Sequence, residues 1–156
     1  MVFQTGPKIA IAEVDGALAF MMAETFNAAG YNVVGCARNA RDTLKLIDRE
    51  PIDFLVLEFD LDGARNGLEL IVEAKLRNPD IKTILVTGWN INDIALRTGE
   101  IHPDGILRKP FMPRHLIAAV HAARYAAHSG AVRSGPNRRA SALADAARPT
   151  GAALVS

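Results

Sequence analysis

A single carboxylate, Glu58, closes the apolar run Phe54-Leu55-Val56-Leu57. Strands buried on both faces read as uninterrupted apolar runs, and open parallel sheets collect ligands beyond the carboxyl ends of their strands. Glu58 therefore belongs at the mouth of a site, where a carboxylate presents a permanent negative charge. Lys109, in Arg108-Lys109-Pro110-Phe111, follows a later apolar run and precedes a helical pattern, so its ammonium can donate to a carboxylate at the same mouth. The expected pairing is Glu58 with Lys109. Asp60 and Asp62 lie past the strand end and read as solvated loop acids.

Other chemistries have little support. The patterns GxGxxG, GxxxxGK[ST] and GxSxG are absent, which removes the usual sequence basis for nucleotide hydrolysis or serine chemistry. His102, His115, His121 and His128 lack neighbouring cysteines and clustered acids, so surface or half-buried positions are expected rather than metal ligation. The lone cysteine, Cys36, excludes an internal disulfide and suits a reducing compartment; a small buried apolar role is its expected fate. Trp89, in the loop after the fourth apolar run, is either an exposed aromatic anchor or packs over that loop.

The elements that must position these groups alternate in type. Ile9 to Ala12, Val33 to Ala37, Phe54 to Leu57, Ile84 to Val86 and Gly105 to Leu107 read as five strands. Helical spacing runs through Leu18, Met22, Thr25, Phe26 and Ala29 up to a capping Gly30, and through Ala40, Leu44 and Ile47 up to Pro51. A third stripe, Leu68, Ile71, Val72 and Lys75, stops at Asn78-Pro79. Asn92 to Arg97 forms a short fourth helix with a thin apolar face, and Pro113 opens a fifth that carries Leu116, Ile117, Val120 and Ala123 to about His128. Five such units with short connections predict a parallel sheet with right-handed crossovers and helices on both faces. This is the flavodoxin-like doubly wound α/β fold with strand order 2-1-3-4-5.

At 156 residues the chain is expected to form one domain over residues 1–128, followed at 129–156 by a flexible Ala/Gly/Arg-rich tail in which 140–147 can form a transient helix. Eighteen basic against seventeen acidic residues give a net charge of +1, so no global field draws the chain to nucleic acid or to an anionic membrane. No apolar stretch approaches the length of a membrane span, and no leader pattern opens the chain; a cytoplasmic location is expected.

The stretch Asp53-Phe54-Leu55-Val56-Leu57-Glu58 through Gly67-Leu68-Glu69-Leu70, together with Ile84-Leu85-Val86-Thr87-Gly88 and Arg108-Lys109-Pro110-Phe111, resembles the receiver domains of response regulators over about residues 7 to 128. In that family an aspartate at the position of Glu58 takes a phosphoryl group from a sensor histidine kinase. The resemblance implies an acidic pocket after the first strand that holds Mg²⁺ together with that aspartate. Glu13 matches its first acid and Val14 falls on the second, where an isopropyl group supplies no ligand. Asp15, one residue on, replaces it only if the turn slips. Thr87 matches the hydroxyl residue that binds the incoming phosphoryl oxygen, and Lys109 the phosphoryl-pocket lysine, whose bond to the following proline is cis in the family. Ile106 occupies the place of the switch aromatic.

The exchange of aspartate for glutamate moves the nucleophilic oxygen by roughly 1.5 Å, a misplacement that costs phosphoryl transfer about 10²-fold or more. One fixed charge is less than the roughly −1.5 to −2 of a phosphoryl group, so any mimicry is partial. The expectation is an atypical single-domain response regulator, not an enzyme, with weak or absent Mg²⁺ binding and no other cofactor. It acts through contacts with a sensor histidine kinase or another response regulator, or as a homodimer through the face of the fourth helix, fifth strand and fifth helix, without nucleic acid or membrane. The alternative is a working phosphoacceptor with Mg²⁺-dependent transfer and autodephosphorylation at Glu58 or, by a shifted register, Asp60.

Overall fold

Ten elements alternate along the chain: β1 (Lys8–Ala12), α1 (Gly16–Ala28), β2 (Asn32–Ala37), α2 (Ala40–Arg49), β3 (Phe54–Glu58), α3 (Gly67–Arg77), β4 (Lys82–Thr87), α4 (Ile91–Thr98), β5 (Gly105–Arg108) and α5 (Pro113–Ala131). The structure, a computed structural model, describes residues 5–131. The expected tail lies outside the described residues from 132 onward, while α5 continues past His128 to Ala131. Among the described residues no helix is long and apolar enough to cross a membrane.

The strands form one parallel sheet in the order β2-β1-β3-β4-β5, the predicted topology. Alternate residues of each strand point to opposite faces, and the core divides accordingly. Ala10, Leu55, Leu57 and Leu85 meet Leu44 and Ile47 of α2, Leu70 and Ile71 of α3 and Ile94 of α4. Ile9, Ile11, Val56, Ile84 and Val86 meet Met22 and Phe26 of α1 and Leu116 and Val120 of α5 on the other face. Complete burial of β3 explains its continuous apolar run; each large aliphatic side chain so buried contributes about 1.5–3 kcal/mol.

Helix ends follow local chemistry. Asp15 caps α1, its carboxylate accepting from Leu18 N at 3.1 Å. At the other end Gly30, at φ 90°, donates to Asn27 O while Tyr31 N donates to Phe26 O, and the Phe26 and Tyr31 rings pack edge to face at 5.7 Å. This is the Schellman closure, which needs the left-handed residue that glycine supplies. Asn66 and Glu69 form a capping box at the start of α3. Gly67 is required for a different reason: a Cβ there would lie 2.4 Å from Glu58 O and 3.0 Å from Phe59 Cα, so only glycine lets α3 start against the end of β3.

Cys36 corrects one expectation. It is exposed, on β2, which among the described residues is an edge strand of the sheet. The desolvation it retains still raises the thiol pKa above its ordinary value.

Candidate functional site

The carboxyl ends of β1, β3 and β5 deliver three charged groups to one point. Glu13 follows β1, Glu58 ends β3 and Lys109 follows β5, and both carboxylates are buried among the strand ends. Lys109 Nζ donates to Glu13 Oε2 at 3.0 Å and forms a tighter ion pair with Glu58 Oε2. The expected Glu58–Lys109 pairing is present, with Glu13 as a second partner. The remaining oxygens are also engaged: Glu13 Oε1 accepts from Asp15 N at 3.0 Å, and Glu58 Oε1 from Phe59 N at 2.8 Å and Asp60 N at 3.4 Å. Charges removed from water require this degree of pairing.

The ammonium responds to both partners. Partial burial alone would lower the Lys109 pKa, but the hydrogen bonds and charges of Glu58 and then Glu13 outweigh it and hold the pKa above the ordinary lysine value. With Lys109 charged, two carboxylates around one ammonium leave the cluster with an uncompensated negative charge.

Thr87, fully buried at the end of β4, is tied into the same edge. Its carbonyl accepts from Lys109 N at 2.8 Å and its hydroxyl from Trp89 N at 3.1 Å. The Lys109–Pro110 bond is cis. Above these residues opens a cleft of about 940 Å³ whose lining includes Glu13, Val14, Asp15, Glu58, Asp60 and Lys109. Val14 brings an isopropyl group to the cleft, and its carbonyl accepts from Arg38 Nη1 at 2.6 Å. Asp15 lines the rim, one of its carboxylate oxygens accepting at the α1 cap. Ile106 is partly exposed on β5.

Two loop acids have partners that spacing alone does not reveal. Asp62 pairs with Arg38 at 3.0 Å, and Asp60 accepts from the Trp89 indole at 2.8 Å. Trp89 takes the packing alternative: it is half-buried, lies against Phe59 and has the Arg97 guanidinium 4.5 Å from its ring centre. Of the histidines, His115 accepts from Met112 N at 3.1 Å and the His121 ring lies 4.8 Å from that of Tyr125 in a tilted contact. Among the described residues no group of three or more His, Cys, Asp or Glu side chains is disposed to hold a metal ion.

Comparison with known proteins matches residues 9–121 to the response regulator receiver domain family. A curated relative, the phosphate regulon transcriptional regulatory protein PhoB of Pseudomonas aeruginosa, is 29% identical over 119 residues, covering 75% of this chain and 51% of the relative. The chain thus spans about half the length of that relative. Among solved structures, a response regulator receiver domain protein (CheY-like) from Methanospirillum hungatei JF-1 aligns with a TM-score of 0.72 at 23% identity, over 81% of this chain and 99% of that one. The BeF3-activated DrrB receiver domain aligns at 0.67 and 25%, over 78% and 99%.

Proposed function

The chain belongs to the response-regulator receiver family, and from that premise we propose that it is an atypical receiver of two-component signalling whose output does not depend on phosphorylation. The observation that carries this reading is the Glu13–Lys109–Glu58 cluster. Glu58 takes the phosphoacceptor position, and its oxygens are held by Lys109 and by the backbone of its own loop. The lysine that would neutralise an incoming phosphoryl group already neutralises a resident carboxylate. The cluster keeps a negative charge, which disfavours the approach of an anionic phosphodonor.

The donor set also fits Mg²⁺ poorly. Octahedral coordination needs several free oxygens. Here Glu13 and Glu58 share Lys109, Val14 offers no side-chain ligand, and Asp15 caps α1. Weak or absent Mg²⁺ binding follows, and with it neither phosphoryl transfer nor autodephosphorylation, so the chain is not an enzyme.

A receiver with a fixed charge at its input acts by docking, in the cytoplasm, with a sensor histidine kinase, another response regulator or a second copy of itself. The exposed Leu96 of α4 and Ile106 of β5 support a homodimer through the α4–β5–α5 face. The test is intact mass after incubation with acetyl phosphate and Mg²⁺, for the native chain and for the Glu58→Asp, Val14→Asp double variant. A gain of one phosphoryl group by the variant alone upholds the reading; a gain by the native chain overturns it in favour of a working phosphoacceptor.

A further inference from the structure

α4 has little of its own to hold it down. Among the described residues of that helix Ile94 alone is buried, while Ile91 and Leu96 face solvent. A second attachment lies beside it. Trp89, one residue before the Asn90 cap of α4, donates its indole N–H to Asp60 Oδ2 at 2.8 Å. Arg97, in the last turn of α4, places its guanidinium 4.5 Å from the Trp89 ring centre and 5.9 Å from that of Phe59. The two rings lie 5.6 Å apart. The base of this assembly is the Glu58 loop itself, since Asp60 N donates to Glu58 Oε1 at 3.4 Å and Phe59 N to the same oxygen at 2.8 Å.

We propose that Asp60, Trp89 and Arg97 form a clasp that fixes α4 on the loop following Glu58. The indole contributes both polarities: its N–H meets a carboxylate in a charge-assisted hydrogen bond, and its π face meets a guanidinium. Both ends of the helix are gripped, because Trp89 precedes its first residue and Arg97 sits in its last turn. A helix with one buried side chain is a natural site of local opening. The clasp raises the population in which α4 stays closed and so presents Ile91 and Leu96 in a fixed arrangement. The clasp stands on these contacts alone. Only its consequence for docking rests on the preceding reading, and that is measured separately by self-association.

The experiment is amide hydrogen exchange read by mass spectrometry on the full chain and three variants. Asp60→Ala removes the acceptor, Trp89→Phe keeps a ring but removes the donor, and Asp60→Asn retains an oxygen that can accept the indole N–H. Exchange over 91–98 is expected to rise about tenfold in Asp60→Ala and Trp89→Phe, the factor carried by one charge-assisted hydrogen bond, and to rise less in Asp60→Asn. Amides of β1 and β3 keep their native rates. Unchanged exchange over 91–98 in Asp60→Ala overturns the clasp. So does an equal rise in α4, β1 and β3, which would make Asp60 a contributor to global stability instead of a local hold. The single tryptophan provides an independent readout: its fluorescence becomes more accessible to acrylamide in Asp60→Ala, and no change in quenching counts against the proposal.

Discussion

The carboxyl edge of the sheet is built in two different ways within a short distance. At the ends of β1 and β3, strands whose residues are almost wholly buried, Glu13 and Glu58 are held in place, and Lys109, following the half-exposed β5, pairs with both. After β4, α4 rests on Ile94 and on the contacts of Trp89 with Asp60 and with Arg97. The first region has no room to rearrange without exposing core or stranding charge. The second can open by breaking a few contacts, each worth little by itself. A fixed charge at the mouth and a tethered helix beside it therefore belong to different levels of stability in one domain.

The largest effect comes from breaking the first region. Lys109→Met leaves two carboxylates buried without a cation, and removal of one partner from a buried cluster costs about 3–5 kcal/mol. Urea denaturation measures it. Converting Glu13 and Glu58 to glutamine in the same chain recovers most of that loss, because the penalty lies in the unpaired charges. A loss below about 1 kcal/mol would put the cluster among solvent-screened surface pairs and erase the contrast with α4.

A second comparison sharpens the contrast through apolar side chains. Leu55 and Ile94 are both fully buried, yet they belong to the central strand and to the tethered helix. Leu55→Ala is expected to lose about 2–5 kcal/mol of global stability. Ile94→Ala is expected to lose less than about 2 kcal/mol by the same measure, since a helix that opens locally transmits little of its damage to the rest. Its effect appears instead as faster amide exchange confined to α4. Equal losses at the two positions would place α4 in the same cooperative unit as β3.

A smaller effect separates the regions by pH. The Lys109 pKa is raised in the folded chain by Glu58 and Glu13 against the opposing desolvation. The folded state therefore holds this proton more tightly than the unfolded state does. The resulting stability is fully present below the ordinary lysine value of 10.5, and it is lost as the pH rises through the higher folded value. Denaturation midpoints between pH 9 and 12 are expected to fall more steeply for the native chain than for Lys109→Met. Parallel curves would show that the ion pairs do not favour the charged ammonium.

What was legible in the sequence follows the same division. The apolar run of β3 marks a strand because both of its faces are covered, and Glu58 at its end was readable as the mouth for the same reason. β4 proved longer than its apolar run, Lys82–Thr87 instead of Ile84 to Val86, because Lys82 and Thr83 pair with Phe54 and Leu55 of β3, and Asp104 accepts from Thr83 N at 2.8 Å. No hydrophobic pattern records that bond. The clasp was equally hidden: Asp60, Trp89 and Arg97 come from two loops and a helix, and their meeting depends on how far each loop reaches. Lys109 was readable as a partner of Glu58, whereas its sharing with Glu13 required the strand ends to be placed side by side.

Cys36 is where burial was inferred from residue type and position in the sheet decided otherwise, and it supports the smallest of these effects. It lies exposed on β2, one of the two edge strands of the sheet, so a thiol reagent is expected to reach it without unfolding. Reaction at pH 8 is nonetheless expected to be slower than that of a small free thiol, because desolvation raises the pKa above the ordinary 9.0 and leaves less of the reactive thiolate. The rate should climb as the pH passes that value. Cys36→Ser is expected to change stability by no more than about 0.5 kcal/mol, as for other surface positions. If labelling instead requires denaturant, the β2 edge is covered in solution, and since an uncovered edge strand is a template for pairing with another chain, a second copy is the first candidate to test. A concentration-dependent labelling rate would then distinguish self-association at this edge from association through α4, whose exposed residues lie on the far side of the sheet from β2.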